Sequence, residues 1–334
     1  MSEHPSLSTI GTMADVWEAY RPELHGVETQ IQKNLTSPVA LVNSVAGHIL
    51  SSGGKRIRPL LLVLSARLCG YTGTDHWQLG CLMEYIHTAT LLHDDVVDDA
   101  DVRRGRQSAR KVWGNQISIL VGDYLYSKAM RQVVEFRTHS INEVLADACW
   151  KMAEGEVLQL YYNGNPAMPM SDYLTVVEHK TAGLIAAACQ IGAIIAGASD
   201  RQEQALFRFG QHLGMAFQLA DDTLDYTANG DCLGKAIGQD LRQGRATLPL
   251  LHLLSHCPEA DRQMIKDRME TRSLASQDLT RILDLMHESG SIAYAKEQAQ
   301  SFIRAAIADL ANFDDCIHKR ALIVSAEYMV TRDR

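Results

Sequence analysis

Two aspartate clusters with the same spacing stand out in the chain. Residues 94–98 read Asp-Asp-Val-Val-Asp, and residues 221–225, which begin 127 residues later, read Asp-Asp-Thr-Leu-Asp. Asp94 and Asp98 lie four residues apart, so in a helix they share one face, and like charges at that spacing destabilise the helix. We therefore expect a compensating cation. Mg²⁺ suits such a site because it takes one or two carboxylates and completes its shell with water and substrate phosphates.

One such cluster is as consistent with an acidic helix surface as with a metal site. Two identical clusters, each within an apolar helical segment, favour metal binding. Gln218 lies three residues before Asp221 and shares its face. The candidate metal ligands are Asp94, Asp98, Asp221, Asp222 and Asp225, and Asp95 joins Asp94, Asp98, Asp221 and Asp222 as a candidate catalytic residue.

Basic residues form the third element of the pattern. Lys55 and Arg58 follow a glycine pair in residues 53–59 (GGKRIRP), and Arg103 and Arg104 follow the first aspartates. The first group also reads as a charged loop, and the second as a helix C-terminus closed by Gly105. Guanidinium groups match phosphate oxygens, so both groups also suit a phosphate site. Further candidates of this kind are Lys180, Thr181 and Lys235.

His87 lies seven residues before Asp94, two helical turns back on the same face. A lone helical histidine is more often structural than functional, and here both interpretations stay open. Carboxylate pairs, several cations and apolar helices together describe a site that binds a diphosphate and houses an apolar tail.

Composition limits the class of protein. The 334 residues carry a net charge of −8, which argues against general nucleic-acid binding, and 46% apolar residues allow a substantial core. The seven cysteines are odd in number and form no C-x-x-C pair, so we expect reduced thiols in the cytoplasm. The N-terminus has no apolar signal segment, and the stretch 184–198 is too short to span a membrane and contains Gln190.

The elements that must carry these residues are helices. No proline occurs between Pro59 and Pro166, helical periodicity recurs in that interval, and hairpin signals with sustained alternation are missing. We expect an all-α fold. A single domain should cover residues 26–334, with residues 1–25 loosely attached because termini often are.

The chain resembles the trans-isoprenyl (polyprenyl) diphosphate synthases, and octaprenyl-type members in particular. The resemblance runs from about Gly53 to Arg332 and rests on motifs that occur in the family's order: GGKRIRP, LLHDDVVDDADVRRG, the HKT around Lys180, GMAFQLADDTLD and LGKAIGQDLRQGRATLPLL. It implies a multi-helix bundle around a deep central cavity, with the aspartate motifs facing each other across its mouth. It also implies a homodimer and three Mg²⁺ ions that bridge carboxylates and an allylic diphosphate.

The resemblance further assigns substrates to residues. Isopentenyl diphosphate would be held by Lys55, Arg58, His87 and Arg104, and the allylic diphosphate by Arg103, Lys180, Thr181, Gln218 and Lys235, with Lys180 also counted as catalytic. One departure is Arg245, where similar proteins usually have lysine. The charge is kept, but the two side chains are not interchangeable at a tight phosphate contact, so Arg245 is left out of the predicted site.

Product length is expected to depend on Thr90 and Ala89, four and five residues before Asp94 and about 6–7 Å deeper along the helix. In relatives that make short products, one or both positions hold bulky aromatic residues. The small residues here predict a long-chain, octaprenyl-like product of the kind used for quinone side chains, although Tyr85 and Ile86 one turn deeper are candidates for a floor.

Other functions stay open. A short-chain synthase or a non-catalytic synthase subunit would share the fold, although a non-catalytic subunit should have lost motif aspartates. A terpene cyclase would typically have a different second metal motif and lack GGKRIRP. A phosphohydrolase of the His-Asp type, indicated by His93-Asp94 and His87, would leave the second aspartate cluster unexplained.

Overall fold

The computed structural model describes residues 10–227 and 237–331, and within these ranges nearly all regular structure is helical. The predicted all-α fold is confirmed. The strands of the described residues form one short antiparallel hairpin, β1 (Val102–Arg103) with β2 (Arg106–Gln107). Within the described ranges, no helix is both long enough and apolar enough to cross a bilayer.

The chain divides into two compact units, and each is described by itself. The first contains the described part of residues 1–146 together with residues 187–206 and 313–324. Its complete helices are α1 (Met13–Ala19), α2 (Arg21–Asn34), α3 (Ala40–Leu50), α4 (Ile57–Leu68), α5 (Asp75–Val97), α6 (Ala109–Trp113) and α7 (Asn115–Val133), with a 3₁₀ turn at Val134–Phe136.

Helix α5 is the centre of the first unit and packs against α7, α4 and α2. Apolar residues lie on all its sides, and Leu79, Leu82, Met83, Ile86 and Leu92 are almost completely buried. A helix that is apolar all round belongs inside a core. This burial fixes the direction of α5 and places the first aspartate cluster at its C-terminal end.

Glu23 ties three helices of this unit together. Its carboxylate on α2 accepts hydrogen bonds from Arg67 of α4 and from His76 and Trp77 of α5. Burial alone would raise the pKa of Glu23, but these hydrogen bonds outweigh it and lower the pKa to about 2. The ionised carboxylate therefore holds α2 against α4 and α5.

The second unit contains residues 147–186, 207–312 and the described residues from 325. Its complete elements are α9 (Met170–Val177), a π-helical turn (Glu178–Ala182), α12 (Gln239–Arg242), α13 (Leu248–His256), α14 (Glu259–Thr271), α15 (Ser276–Glu288) and α16 (Ser291–Asp309), with a 3₁₀ turn at Leu310–Asn312. The boundary between the units falls inside α8 (His139–Tyr161), α10 (Gly183–Ile195), α11 (Asp200–Thr227) and α17 (Ile317–Thr331).

Two glycines of α11 set the position of the second aspartate cluster. A Cβ atom at Gly214 would lie 2.4 Å from the Cα atom of Ala182, and one at Gly210 would lie 2.6 Å from the Cα atom of Ala186. Side chains at these positions would force the backbones apart. The glycines therefore let α11 run directly against the end of the π-helical turn that carries Lys180 and Thr181.

The described part of the N-terminal segment is helical, and Val16 and Tyr20 are buried in the first unit. The hydroxyl group of Tyr20 lies 2.5 Å from the Nδ1 atom of His318. The predicted domain boundaries, residues 1–25 and 26–334, stay predictions.

Candidate functional site

The first aspartate cluster lies at the end of α5. Asp94 and Asp95 belong to its last turn, and Asp98 is its C-cap, with its backbone N–H 2.8 Å from the carbonyl oxygen of Asp94. Asp94 and Asp98 are partly exposed, whereas Asp95 is completely buried. The pair one turn apart fits Mg²⁺, which needs one or two accessible carboxylates and leaves room for phosphate oxygens.

Asp95 has a different partner. The Nε atom of Arg103 donates a 2.6 Å hydrogen bond to its Oδ1 atom, and its Oδ2 atom is buried without a hydrogen-bond partner among the described residues. Burial raises the pKa of Asp95, and the Arg103 guanidinium opposes that rise. Asp95 thus holds the Arg103 side chain through a buried ion pair.

Arg103, Arg104 and Gly105 belong to a β-hairpin, so the alternative interpretation of this segment as a helix C-terminus is wrong. Arg104 and Gly105 form the two-residue turn between β1 and β2, with φ angles of 51° and 75°. Two successive positive φ angles match the right-handed twist of a hairpin. The turn points the Arg104 guanidinium at the carbonyl oxygen of Gly53, which accepts its hydrogen bond. A Cβ atom at Gly54 would lie 3.0 Å from that guanidinium, so glycine permits the approach.

A basic cluster surrounds His87 on α5. Burial and the neighbouring Arg58, Arg104 and Arg103 hold the pKa of His87 well below its ordinary value, so the imidazole is neutral at neutral pH. Arg58 keeps its Nε atom buried without a hydrogen-bond partner in the described part of the chain. Burial lowers the pKa of Arg58, as does Arg104, while Glu84 opposes the change. Guanidinium groups clustered in this way attract an anion.

Arg56 and Lys55 flank this cluster differently. Arg56 is committed to the protein, because it bonds Glu84 at 2.5 Å, Glu28 at 3.2 Å and the carbonyl oxygen of Leu50 at 2.9 Å. Lys55 is exposed on the loop before α4. The structure therefore brings Arg58, Arg103 and Arg104 close to His87, with Lys55 on the preceding loop. The assignment of these residues to the two substrates stays a prediction.

The second aspartate cluster lies within α11 and is strongly bonded to protein groups. Asp222 is almost fully buried, and its two carboxylate oxygens accept hydrogen bonds from the Tyr173 hydroxyl at 2.6 Å and the Gln218 amide at 2.8 Å. Burial raises the pKa of Asp222 to about 6, against the effect of these two hydrogen bonds. Asp221 is half-buried on the same helix.

Asp225 accepts hydrogen bonds from the start of α12. Its carboxylate oxygens accept the backbone N–H groups of Gln239 at 3.1 Å and Asp240 at 3.0 Å, at the start of α12. If Asp225 also binds a metal ion, its carboxylate does so while it accepts these two backbone hydrogen bonds. Lys235, a predicted allylic-site residue, lies outside the described residues.

Lys180 and Thr181 lie in the π-helical turn, a rare conformation that often occurs at functional sites. The Lys180 ammonium group contacts Glu156 at 2.6 Å and Gln159 at 2.8 Å on α8. The Thr181 hydroxyl donates to the Gln218 carbonyl oxygen at 2.8 Å. Lys180, Thr181 and Gln218, predicted from separate motifs, therefore line one pocket of the second unit.

This pocket contains residues that sequence reasoning missed. Asp240 and Arg245 stand in a motif that carried the resemblance, so they had a signal, and the Arg245 guanidinium lies 3.7 Å from the Asp240 carboxylate. Tyr173 had no signal beyond its place before Lys180. The newly found lining residues with polar side chains are Gln159, Tyr162, Asn163, Tyr173, Asp240, Arg245 and Thr247.

The residues predicted to control product length lie inside the first unit. Ala89 is buried, and the Thr90 hydroxyl donates to the carbonyl oxygen of His87 at 2.8 Å. One turn below Ala89, Tyr85 is completely buried and its hydroxyl donates to the carbonyl oxygen of Ile31 at 3.0 Å. His93, which raised the phosphohydrolase alternative, bonds the carbonyl oxygen of Ile119 on α7 at 3.1 Å.

Comparison with known proteins gives consistent matches. Residues 39–286 match the family model described as polyprenyl synthetase. The chain is 42% identical to the octaprenyl diphosphate synthase of Escherichia coli (strain K12) over 312 residues, which cover 93% of this chain and 96% of that protein.

Solved structures match over almost the whole length. A polyprenyl synthase from Caulobacter crescentus CB15, complexed with calcium and isoprenyl diphosphate, superposes with a TM-score of 0.91 at 36% identity and full coverage of both chains. A decaprenyl diphosphate synthase from Rhodobacter capsulatus gives a TM-score of 0.92 at 38% identity, over 96% of this chain and 99% of that one.

Proposed function

Because the chain belongs to the polyprenyl synthetase family, we propose that it joins an allylic diphosphate to successive molecules of isopentenyl diphosphate and makes an octaprenyl-length product. The predicted family and the long-chain class of synthase are confirmed. The exact length and a role as precursor of quinone side chains are proposals, supported by the 42% identity to an octaprenyl diphosphate synthase.

A basic cluster and a carboxylate pair on the same helix carry the proposal. His87 and Asp94 are seven residues apart on α5, about 10 Å along the helix axis. The cluster of Arg58, His87 and Arg104 would hold the diphosphate of isopentenyl diphosphate, with exposed Lys55 closing over it. This separation leaves room between that diphosphate and a second one bound at the carboxylates.

The metal is proposed to be Mg²⁺, in three ions as the family resemblance implies, with Asp94 and Asp98 as ligands and Asp221 and Asp222 contributing from the second cluster. When bound, Mg²⁺ stabilises negative charge on the departing diphosphate. Calcium in the Caulobacter structure supports a divalent cation in the family.

Side chains of the protein would bind the allylic diphosphate and exclude water. Arg103, Lys180, Thr181 and Gln218 would bind the allylic diphosphate and hold it as its carbon–oxygen bond breaks, which is preorganised electrostatic stabilisation. The double bond of isopentenyl diphosphate then forms the new carbon–carbon bond, and a proton leaves to the departing diphosphate. Apolar helix surfaces would keep water from the carbocation.

A homodimer and a cytoplasmic location complete the proposal. The part of α8 in the second unit exposes Trp150, Val157, Leu160 and Tyr161, an apolar set at helical spacing that a second copy would cover. The six described cysteines are free thiols, which supports a reducing compartment. Trp150→Glu should shift the molecular mass in sedimentation from dimer to monomer, and an unchanged mass would place the interface elsewhere.

Release of inorganic diphosphate tests the reaction. We expect release only when an allylic diphosphate, isopentenyl diphosphate and Mg²⁺ are all present. Release from the allylic substrate alone would indicate a cyclase, and release of monophosphate a phosphohydrolase. No release under any condition would indicate a non-catalytic subunit.

A further inference from the structure

A chain of hydrogen bonds joins four residues inside the second unit. The Tyr173 hydroxyl of α9 donates to the Oδ2 atom of Asp222 at 2.6 Å. The Nε2 atom of Gln218 donates to the Oδ1 atom of the same carboxylate at 2.8 Å. The Thr181 hydroxyl donates to the Oε1 atom of Gln218 at 2.8 Å. All four residues line the pocket that also contains Lys180.

The direction of this chain follows from the chemistry of its members. An ionised carboxylate only accepts hydrogen bonds, so Gln218 must turn its NH₂ group toward Asp222 and its carbonyl oxygen toward Thr181. One N–H of that amide is then bonded to Asp222. The second N–H has no hydrogen-bond partner among the described residues and would meet a phosphate oxygen of the bound diphosphate. Reversing the amide would place its carbonyl oxygen against the carboxylate and remove the hydrogen bond to Asp222.

Tyr173 holds the carboxylate that sets this direction. It is only 3% exposed, and its ring packs in the core of the second unit together with Val176, Val177 and Leu248. The buried ring fixes the position of the hydroxyl, and the hydroxyl occupies one oxygen of Asp222. The carboxylate is thereby held in the rotation that presents its other oxygen to Gln218.

We infer that Tyr173 is a positioning residue for the allylic diphosphate, acting through Asp222 to orient the amide of Gln218. The inference rests on the proposed function, since that function supplies the diphosphate. It is compatible with the metal role proposed for Asp222, because each carboxylate oxygen keeps a second lone pair while it accepts one protein hydrogen bond.

Tyr173→Phe tests the inference because it removes one oxygen atom and keeps the ring. Tyr294→Phe is a matched control: Tyr294 lies in the same unit, where its ring stacks on His252 at a centroid distance of 4.3 Å, outside the pocket lining. Binding of farnesyl diphosphate with Mg²⁺ and without isopentenyl diphosphate would be measured by titration calorimetry. Steady-state kinetics would give the KM of isopentenyl diphosphate.

We expect Tyr173→Phe to weaken farnesyl diphosphate binding about tenfold, the loss typical of a hydrogen bond to a charged group. The KM of isopentenyl diphosphate should change by less than about twofold, and Tyr294→Phe should match wild type in both. Unchanged farnesyl diphosphate binding in Tyr173→Phe would overturn the inference. Equal losses for both substrates would show a general structural role and overturn it as well.

A double-mutant cycle separates an effect through Gln218 from a general structural effect of Tyr173. If Tyr173 acts through Gln218, then Tyr173→Phe should cause no further loss of farnesyl diphosphate binding in a Gln218→Met background. Additive losses would show an independent effect and refute the coupling. A changed Mg²⁺ requirement as the main effect of Tyr173→Phe would show that Tyr173 acts on the metal site and not on Gln218, and would overturn the inference. If wild type binds farnesyl diphosphate but never elongates it, the proposed function fails while this comparison still decides the role of Tyr173.

Discussion

Arg58 is predicted to lower the free energy of unfolding of the free protein and to strengthen the binding of isopentenyl diphosphate. It is the second residue of α4, where a cation opposes the helix dipole by about 0.3–1 kcal/mol. Its Nε atom is buried without a hydrogen-bond partner among the described residues, and Arg104 lies close enough to help lower its pKa. The bound diphosphate would add negative charge to that of Glu84 beside this guanidinium.

Arg58→Met removes the charge and keeps an apolar stem of similar length. We expect the free protein to gain about 0.3–1 kcal/mol in free energy of unfolding, mainly because the unfavourable dipole interaction is removed. Binding of isopentenyl diphosphate should weaken by about 1.5–3 kcal/mol, which is roughly 10- to 150-fold in dissociation constant.

Arg56→Met is the matched control, since Arg56 lies two residues away and carries the same charge. Its side chain is 13% exposed and is paired with Glu84, whose side chain is 7% exposed. Removing one partner of a buried ion pair costs about 3–5 kcal/mol. The two substitutions should therefore change stability in opposite directions.

Urea unfolding at pH 7 measures the two stabilities, and titration calorimetry measures isopentenyl diphosphate binding. Destabilisation by Arg58→Met of more than about 1 kcal/mol would show that the arginine is structural. Unchanged affinity would remove it from the site. A loss confined to the allylic diphosphate would reverse the assignment of the two substrate sites.

Three further predictions concern Ala89, Asp94 and Glu23. Ala89→Phe should shorten the final product sharply and preserve the first condensations, as chromatography of the products would show; an unchanged product ladder would mean that the growing chain takes another route. Asp94→Asn should lower turnover by orders of magnitude, whereas the exposed Asp99→Asn should not; equal activities would remove Asp94 from the metal site. Glu23→Gln should destabilise the fold at pH 7 by up to about 3 kcal/mol, because the pKa falls from 4.5 to about 2 on folding. That stabilisation is complete above about pH 4.5 and is lost as the pH falls toward 2, so the wild-type and variant urea curves should converge in acid; a constant difference would contradict it.

The parts of the site that depend on spacing were predictable from sequence. A four-residue repeat of aspartates gives the same face on any helix, so Asp94 and Asp98 could be paired without a structure. His87 could be aligned with them for the same reason. The buried α5 was also predictable, because its apolar residues continue around all sides of the helix.

Features that depend on backbone irregularity or on distant contacts were not predictable. Arg104 and Gly105 look like a helix end in sequence, but their two positive φ angles form a hairpin turn. The π-helical turn at Lys180 has no periodic signature that separates it from an α-helix. Tyr173 lies 49 residues from Asp222 in sequence, so only the packing of α9 against α11 reveals their hydrogen bond.

Sizing the products of the unaltered protein tests whether it is a long-chain synthase. The protein would be incubated with farnesyl diphosphate, labelled isopentenyl diphosphate and Mg²⁺ until the products stop growing. The small residues Ala89 and Thr90 and the match to long-chain relatives predict a ladder that ends at about the octaprenyl stage. A ladder that ends at the geranylgeranyl stage would contradict the long-chain assignment, and no labelled product at all would contradict the synthase itself.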